Sequence, residues 1–409
     1  MTAQRLAGYG SLIVRRLWTL VAVASLALAA PTGCSPTPEK IARWKETERG
    51  PGKLREALQN GSLDPSLRAQ AFAALVEIGM AQDALADLGK ADDKDKKAII
   101  HDAVPRLAEV ARGSGIAGSA TTRAQREAKD ALFALRQDAA PEDRDAADKA
   151  LIEWTTADLN GRMSAGAHSS DIILTAIGAK AAPRLSELMQ PGSSQLVSAA
   201  AIYGKVAPPD DRARAADALI SRIQKAGPRG LDEQALQALG LIGGPRATAF
   251  LVDQAEHGRE EATREKALLA LAQGNLSQGD ASLQTAALRI AADKKAPGKV
   301  RESAFAVLEK MPTAVTGLVG LMRDPDETTR WRAVEAALAA GKDKAVVPVL
   351  EGLNPAGKYK QEDLDSYVVH DLVLVGPAAL EPLKTELASK NAVARKVAEA
   401  AVAQLQKHR

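Results

Sequence analysis

A chain of 409 residues is longer than a single hydrophobic core usually supports, so several domains or an elongated array of repeats is expected. Aromatic residues make up only 3% of the chain and alanine is abundant, which favours closely stacked helices over a large sandwich or barrel. The formal net charge is +3, but Arg5, Arg15 and Arg16 precede Cys34, and without them 51 basic residues would match 51 acidic ones. A neutral body lacks the basic surface of a nucleic-acid-binding protein, so no nucleic-acid partner is expected.

The first 33 residues have the pattern of an export signal. Arg15 and Arg16 precede an apolar run from Leu17 to Ala30. This run is shorter than the roughly 20 residues that a membrane-spanning helix needs, and small residues follow it, as at a signal-peptide cleavage site. We therefore predict that residues 1–33 are a signal peptide and that the mature chain begins at Cys34.

The sequence Pro31-Thr32-Gly33-Cys34 resembles the lipobox of bacterial lipoproteins, in which the cysteine becomes the acylated first residue. The lipobox prefers an aliphatic residue where Pro31 stands. Cys34 is the only cysteine, so disulfide bonds and a thiol nucleophile are excluded from the body. The resemblance implies lipidation at Cys34 and an outer-membrane lipoprotein that faces the periplasm and is held to the membrane by its N-terminal lipid. A plain secretory signal with a soluble periplasmic or secreted product is the alternative.

Residues 34–52 are predicted to form a tether and a short charged helix, and residues 53–192 are predicted to form degenerate helical repeats. The first clear copy contains Arg68, Ala71 and Leu75, whose offsets of three and seven place them on one face of a helix. Further helices are predicted over residues 98–112, 122–137 and 141–160, with loops at 113–120 and 161–169.

The repeat becomes regular in residues 193–409. Helices that open a repeat are expected to start near residues 195, 231, 261, 298, 326, 361 and 391. This period of about 33 residues accommodates a helix, a turn, a second helix and a linker, and it is typical of a solenoid. The offsets of three and seven recur in Asp232, Ala235 and Leu239; Arg264, Ala267 and Leu271; Arg301, Ala304 and Leu308; Arg330, Ala333 and Ala337; and Arg395, Ala398 and Val402.

The copy that starts at Gln361 departs from this pattern, since Tyr367, His370 and Leu374 occupy the corresponding positions. Second helices are predicted to start at proline steps, because a proline in the first turn of a helix sacrifices no intrahelical hydrogen bond. These steps are Ala182-Pro183, Gly244-Pro245, Met311-Pro312 and Gly376-Pro377.

Units such as RESAFAVLEKMPTAVTGLVGLMRDPDETTR, residues 301–330, resemble short bacterial HEAT repeats. The resemblance rests on an alanine-rich first helix, a proline step, a second helix rich in leucine and valine, and an Asp-Pro-Asp turn. Tetratricopeptide repeats have a similar length, but the Trp, Leu-Gly and Tyr positions that they require are missing. The resemblance implies an all-α fold, an α-solenoid or superhelix of stacked antiparallel helix pairs, which generally serves as a binding scaffold.

The arginine near the start of each repeat is expected to contact the acidic turn before it, for example through Asp324 or Asp326 to Arg330. A surface ion pair of this kind is worth only about 0–1 kcal/mol, so we expect it to set the register of the stack.

Trp331 is the strongest candidate for a partner-binding residue. The equivalent residues in other copies are Ala69, Glu265, Glu302 and Lys396, which suggests a position that faces solvent. An exposed tryptophan between Arg330 and Arg332 would suit a binding hot spot, so these three residues are the predicted partner-binding site. The alternative is that Trp331 only covers the preceding loop between repeats.

Three further patterns carry little functional signal. His370 stands beside Asp371, but the two are adjacent in sequence and should face different parts of the helix surface, so a partly buried histidine in a repeat interface is expected. The remaining histidines are scattered, so no metal site is predicted. The G-x-G-x-x-G match at residues 113–118 follows a polar helix rather than a strand, which is typical of a loop and not of a dinucleotide site.

These observations predict a non-catalytic scaffold that binds an unidentified protein or peptide and needs no cofactor. The alternative is an enzyme or assembly factor, because some short HEAT-like proteins resemble bilin lyases and deoxyhypusine hydroxylases. The hydroxylase needs paired His-Glu motifs, whereas His257 is followed by Gly258, and no catalytic residues are predicted.

Overall fold

The computed structural model describes residues 36–113, 121–227, 231–275, 280–354 and 359–407. Within these ranges the chain is helical and contains no β-strand. The predicted signal peptide and Cys34 lie outside the described residues. The contacts divide the chain into two compact units, with the division between Leu151 and Ile152. The predicted change from degenerate to regular repeats at residue 193 concerns sequence regularity and stays a prediction.

The first unit is built from helices that pack on their near neighbours in the chain. Helix α3 contacts α1, α2, α5 and α6, and α4 contacts α2 and α6. The division between the units falls inside α7. The helices are α1 (Pro38–Trp44), α2 (Gly50–Gln59), α3 (Pro65–Glu77), α4 (Ala81–Leu88), α5 (Asp93–Arg112), α6 (Arg123–Leu135) and α7 (Pro141–Ala157).

The second unit repeats one helix pair along the chain. Its first part comprises α8 (Ser170–Ile177), α9 (Ala182–Leu188), α10 (Leu196–Val206), α11 (Pro209–Ala226), α12 (Glu233–Ile242), α13 (Gly244–His257), α14 (Glu261–Gln273) and α15 (Ala281–Ala292). Its second part comprises α16 (Gly298–Leu308), α17 (Val315–Leu321), α18 (Glu327–Gly341), α19 (Val346–Gly352), α20 (Gln361–Leu364), α21 (His370–Leu374), α22 (Leu380–Glu386) and α23 (Ala392–Lys407).

Two layers of helices run through the second unit. In the first layer α10 contacts α12, α12 contacts α14, α14 contacts α16, and α16 contacts α18. In the second layer α11 contacts α13, α13 contacts α15, α15 contacts α17, α17 contacts α19, and α19 contacts α22. Each helix pair therefore buries its apolar surface against the pairs before and after it, which is the packing of an α-solenoid of antiparallel helix pairs. The predicted all-α solenoid is confirmed.

Helix boundaries follow from local chemistry. The helices that open a repeat begin within two residues of the predicted starts, and at two of them an aspartate is the N-cap. The Asp232 carboxylate accepts a hydrogen bond from the backbone amide of Ala235 at 2.8 Å, and the Asp326 carboxylate accepts one from the backbone amide of Thr329 at 3.1 Å. All four predicted proline steps lie at the start of a helical segment, two of them as short 3₁₀ turns at Pro312–Ala314 and Gly376–Ala379. The predicted helix starts are confirmed.

The repeated arginine binds backbone carbonyl groups at the end of the preceding helix. Arg68 Nε donates to the carbonyl of Leu58 at 2.9 Å, and Arg264 Nε donates to that of Ala255 at 3.0 Å. Cations are favourable at this end of a helix because the last carbonyl groups have no intrahelical partner. In these repeats the arginine thus ties its own helix to the end of the helix before it.

Arg330 differs from the prediction in one respect. It contacts the preceding turn, but its Nη1 donates to the backbone carbonyls of Asp324 and Pro325 at 3.0 Å, and not to a carboxylate. The carboxylate of Asp326 instead pairs with Arg301 of the previous repeat at 2.9 Å, where it also caps its own helix. The acidic turn is already engaged by the previous repeat, which is why Arg330 binds its carbonyl groups.

Small residues let the first helices approach closely. Most alanine and leucine residues of the predicted register are buried, including Ala267, Leu271, Ala304 and Leu308. Gly240 of α12 lies so close to α14 that a Cβ atom there would overlap the carbonyl oxygen of Ala270. The abundance of alanine therefore reflects the short distance between neighbouring first helices.

The repeat that starts at Gln361 contains a π-helical turn, Asp365–Val369, between α20 and α21. A π turn adds one residue to the helical repeat and rotates the residues that follow. Val368 and Leu372 are buried, whereas Tyr367 and Leu374 are 47% and 71% exposed. The predicted register of this copy is wrong, because the buried pair Val368 and Leu372 lies two residues before the expected pair His370 and Leu374.

Candidate functional site

A cleft of about 700 Å³ lies in the second unit where α18 faces the repeat with the π turn. The α18 side contributes Trp331, Arg332 and Glu335, and the other side contributes Asp363, Ser366, Tyr367, His370, Asp371 and Leu374. We call it the Trp331 cleft. Its volume falls within the range of about 300–1,000 Å³ that is typical of ligand sites. Both walls come from helices of the stack, so the repeat architecture fixes their geometry.

Trp331 forms the base of an aromatic cluster and is only 7% exposed. Its ring stacks on Tyr367, with 5.3 Å between ring centroids and 10° between ring planes, and Tyr359 packs at 5.7 Å in a tilted arrangement. The indole Nε1 donates to Glu327 at 3.4 Å. The prediction of a solvent-facing Trp331 is wrong, because tyrosines of the next repeat cover it. Its role in partner binding stays a prediction.

The two arginines that flank Trp331 have different environments. Arg330 is committed to the preceding turn, as described above, and it does not line the cleft. Arg332 lines the cleft and lies 2.7 Å from Glu302, 2.7 Å from Glu309 and 2.8 Å from Glu335. Burial alone would lower the pKa of Arg332, but these carboxylates outweigh burial and hold it above its usual range. The structure therefore brings only Trp331 and Arg332 of the predicted triplet into the cleft.

Asp371 is the most perturbed acid of the cleft. Burial of its carboxyl group, reinforced by the nearby charge of Glu335, raises its pKa to about 6, while His370 and Arg332 act in the opposite direction. Among the described residues, none donates a hydrogen bond or forms an ion pair to the Asp371 carboxyl group. Two like charges, one of them without a partner, thus face each other across the repeat interface.

His370 was expected to be partly buried in a repeat interface, away from Asp371. It is exposed instead, and it lines the same cleft as Asp371. Val368 and Leu372 fill the buried positions of this repeat, which leaves His370, directly after the π turn, exposed.

The mouth of the cleft is apolar. Tyr367 is 47% exposed even though one face of its ring stacks on Trp331, and Leu374 is 71% exposed. Sequence analysis missed Glu335 and the exposure of Tyr367 and Leu374. The spacing of Leu364, Val368 and Leu372 by four residues was the signal that could have revealed the buried face, and with it the exposed one.

Two further features of the described part of the chain concern metal binding and membrane crossing. It contains no group of three or more histidine, cysteine, aspartate or glutamate side chains placed to hold a metal ion. No single described helix has the length and apolar character needed to cross a membrane; one pair, Gly298–Leu308 with Pro312–Leu321, meets these criteria only when taken together and is bent by 111°. Of the G-x-G-x-x-G match only Gly113 is described, and it ends α5 with φ of 61°.

Comparison with protein-family models and with curated proteins finds no match. Among solved structures, the chain is similar to an engineered protein at 18% identity, covering 91% of this chain and 92% of that one with a TM-score of 0.25. It is also similar to a designed armadillo repeat protein at 16% identity, covering 86% and 98% with a TM-score of 0.12. A second engineered protein matches at 15% identity, covering 87% and 96% with a TM-score of 0.13. Such low TM-scores carry no argument about function.

Proposed function

We propose that this chain is a non-catalytic interaction scaffold and that the Trp331 cleft is its docking site for a protein or peptide. The observation that carries the proposal is the pair of exposed apolar side chains, Tyr367 and Leu374, at the mouth of a cleft in an otherwise regular stack. Aromatic and aliphatic side chains that surround a concave site are typical anchors of a protein interface. The π turn further supports a functional role, because such turns occur frequently at functional sites.

The repeat family, the membrane anchor and the absence of enzymatic activity are part of the same proposal. The residues of units such as 301–330 support a HEAT-like repeat, a family whose members generally bind other proteins. The pattern of residues 15–34 supports an exported lipoprotein that is anchored through Cys34 to the outer membrane and faces the periplasm. We propose no enzymatic activity, because the sequence lacks the paired His-Glu motifs of the HEAT-like hydroxylases and offers no other catalytic constellation.

Membrane anchoring is tested by Cys34→Ser in the host bacterium. We expect the wild-type chain to partition into detergent and to incorporate a labelled fatty acid, and the variant to do neither. Incorporation and partitioning that are unchanged in the variant would refute lipidation at Cys34. This test is independent of the cleft.

Docking at the cleft is tested by affinity purification of the tagged full chain from detergent-solubilised envelopes, with quantitative mass spectrometry. The double substitution Tyr367→Ala with Leu374→Ala removes the apolar mouth. The matched control is Ile172→Ala with Leu387→Ala, since these two side chains are also exposed, at 51% and 37%, and lie outside the cleft. We expect a protein that is retained by the wild type and the control to be lost from the cleft variant. Equal recovery with both variants would refute the site.

A further inference from the structure

The Trp331 cleft has a marked excess of negative charge. Four carboxyl groups line it, from Glu327, Glu335, Asp363 and Asp371, against the two basic side chains Arg332 and His370. Arg332 pairs with Glu335 of the cleft lining and also with Glu302 and Glu309 outside it. Its single positive charge is therefore shared among three carboxylates, and among the described residues it forms no ion pair with the other three carboxyl groups of the lining.

The cleft places the carboxyl groups of Glu335 and Asp371 near each other, which makes it unfavourable for Asp371 to be charged. Glu335 retains one contact, to Arg332 at 2.8 Å, and its side chain is 55% exposed. Asp371 is more buried and has no hydrogen-bonding or ion-pairing partner among the described residues. The charge of Glu335 raises the cost of ionising Asp371, and a cation placed near both would lower that cost.

The apolar mouth adds a second requirement. Tyr367 offers an exposed aromatic side chain and Leu374 an exposed aliphatic one, next to the acidic interior. A lysine or arginine side chain satisfies both conditions, because its alkyl stem packs on apolar surface while its charged end reaches polar groups. Aromatic rings also attract such cations.

We propose that the occupant of the cleft is a basic segment of a partner protein, with a lysine or arginine directed towards Glu335 and Asp371 and an apolar neighbour packed on Tyr367 and Leu374. This inference rests on the proposed function and specifies the partner. A bare divalent cation fits less well, since no described cluster supplies three ligands and the apolar side chains of Tyr367 and Leu374 would have no role in binding it.

The test measures binding of synthetic peptides to the purified full chain in a non-ionic detergent by isothermal titration calorimetry. The probes are a hexapeptide of alternating lysine and leucine, the same peptide with glutamate in place of lysine, the same peptide with serine in place of leucine, and spermidine. We expect the lysine–leucine peptide to bind, and the other three probes to bind at least about tenfold more weakly, which corresponds to about 1.4 kcal/mol.

The variants Glu335→Gln and Asp371→Asn test the residues. Each is expected to weaken binding of the lysine–leucine peptide by about tenfold, whereas Glu362→Gln removes an exposed carboxylate of α20 that does not line the cleft and should leave binding unchanged. Circular dichroism establishes that each variant is folded. Asp371→Asn removes a repulsion, so it is the variant least at risk of unfolding.

Several results would overturn the inference. They are equal binding of the glutamate peptide, equal binding of the serine peptide, equal binding of spermidine, no binding of the lysine–leucine peptide, and affinity that is unchanged by both cleft variants. If one of these results is obtained and the Tyr367→Ala, Leu374→Ala chain still loses the native partner, the docking site stands and only the basic character of the partner is refuted. Retention of the native partner would refute the docking site itself.

Discussion

The burial of two leucines that lie two residues apart gives the sharpest test of the helix register. Leu372 is fully buried and Leu374 is 71% exposed, although the repeat pattern aligns Leu374 with the buried Leu308. Replacing a buried leucine by alanine costs the transfer energy of the lost atoms and leaves a cavity, for a total of about 2–5 kcal/mol. Replacing an exposed leucine changes stability by about 0.5 kcal/mol or less.

We therefore expect Leu372→Ala to lower the free energy of unfolding by about 2–5 kcal/mol and Leu374→Ala to leave it nearly unchanged. Urea unfolding followed by circular dichroism measures the total effect. Hydrogen exchange of α20 and α21 locates it, because repeat proteins unfold in parts and a single midpoint can hide local opening. Equal effects, or a larger effect at Leu374, would show that Leu372 does not hold the buried position that the structure gives it.

Three further predictions concern packing and charge. Gly240→Ala should lower the melting temperature, since the added Cβ atom would overlap the neighbouring helix. In Gly320→Ala the added Cβ atom meets open space in α17, so thermal unfolding should show stability that is unchanged or raised by up to about 1 kcal/mol. Asp371 has a folded-state pKa of about 6, above its unfolded value of 3.8, so the unfolded chain loses this proton at lower pH and the free energy of unfolding should fall as pH rises from about 4 to 6. Asp371→Asn should flatten this decline, as measured by urea unfolding at successive pH values. A pH dependence that is unchanged in the variant would contradict the prediction. Arg301→Ala removes bonds to the Ala291 carbonyl and to the next repeat, and should cost about 1–3 kcal/mol in urea unfolding, with Arg301→Lys as the charge-conserving comparison.

Much of the fold could be predicted from the sequence because the repeat is governed by local rules. Proline steps, aspartate caps and alanine at fixed offsets act within one helix pair, and pairs such as Ala304 and Leu308 are buried as their spacing requires. The recurring arginine could also be identified. Its partner could not, because the carbonyl groups that it binds carry no sequence signal.

The candidate site was harder to predict because it lies where the repeat changes. Analogy with other copies predicts an exposed Trp331, but the tyrosines that cover it have no counterpart in those copies. A π turn interrupts the regular helix here, and the buried residues Val368 and Leu372 lie two positions before the expected His370 and Leu374. The cleft and its acids therefore emerge only when two neighbouring repeats are placed together.

The central claim is that a partner docks in the Trp331 cleft, and site-specific photocrosslinking in the native envelope tests it most directly. A photoreactive residue replaces Ser366, which is exposed and lines the cleft, or Ser221, which is exposed on α11 away from it. The account predicts a defined protein crosslink from position 366 only, one that the lysine–leucine peptide suppresses and that Tyr367→Ala with Leu374→Ala abolishes. No crosslink from position 366, or the same products from both positions, would contradict it.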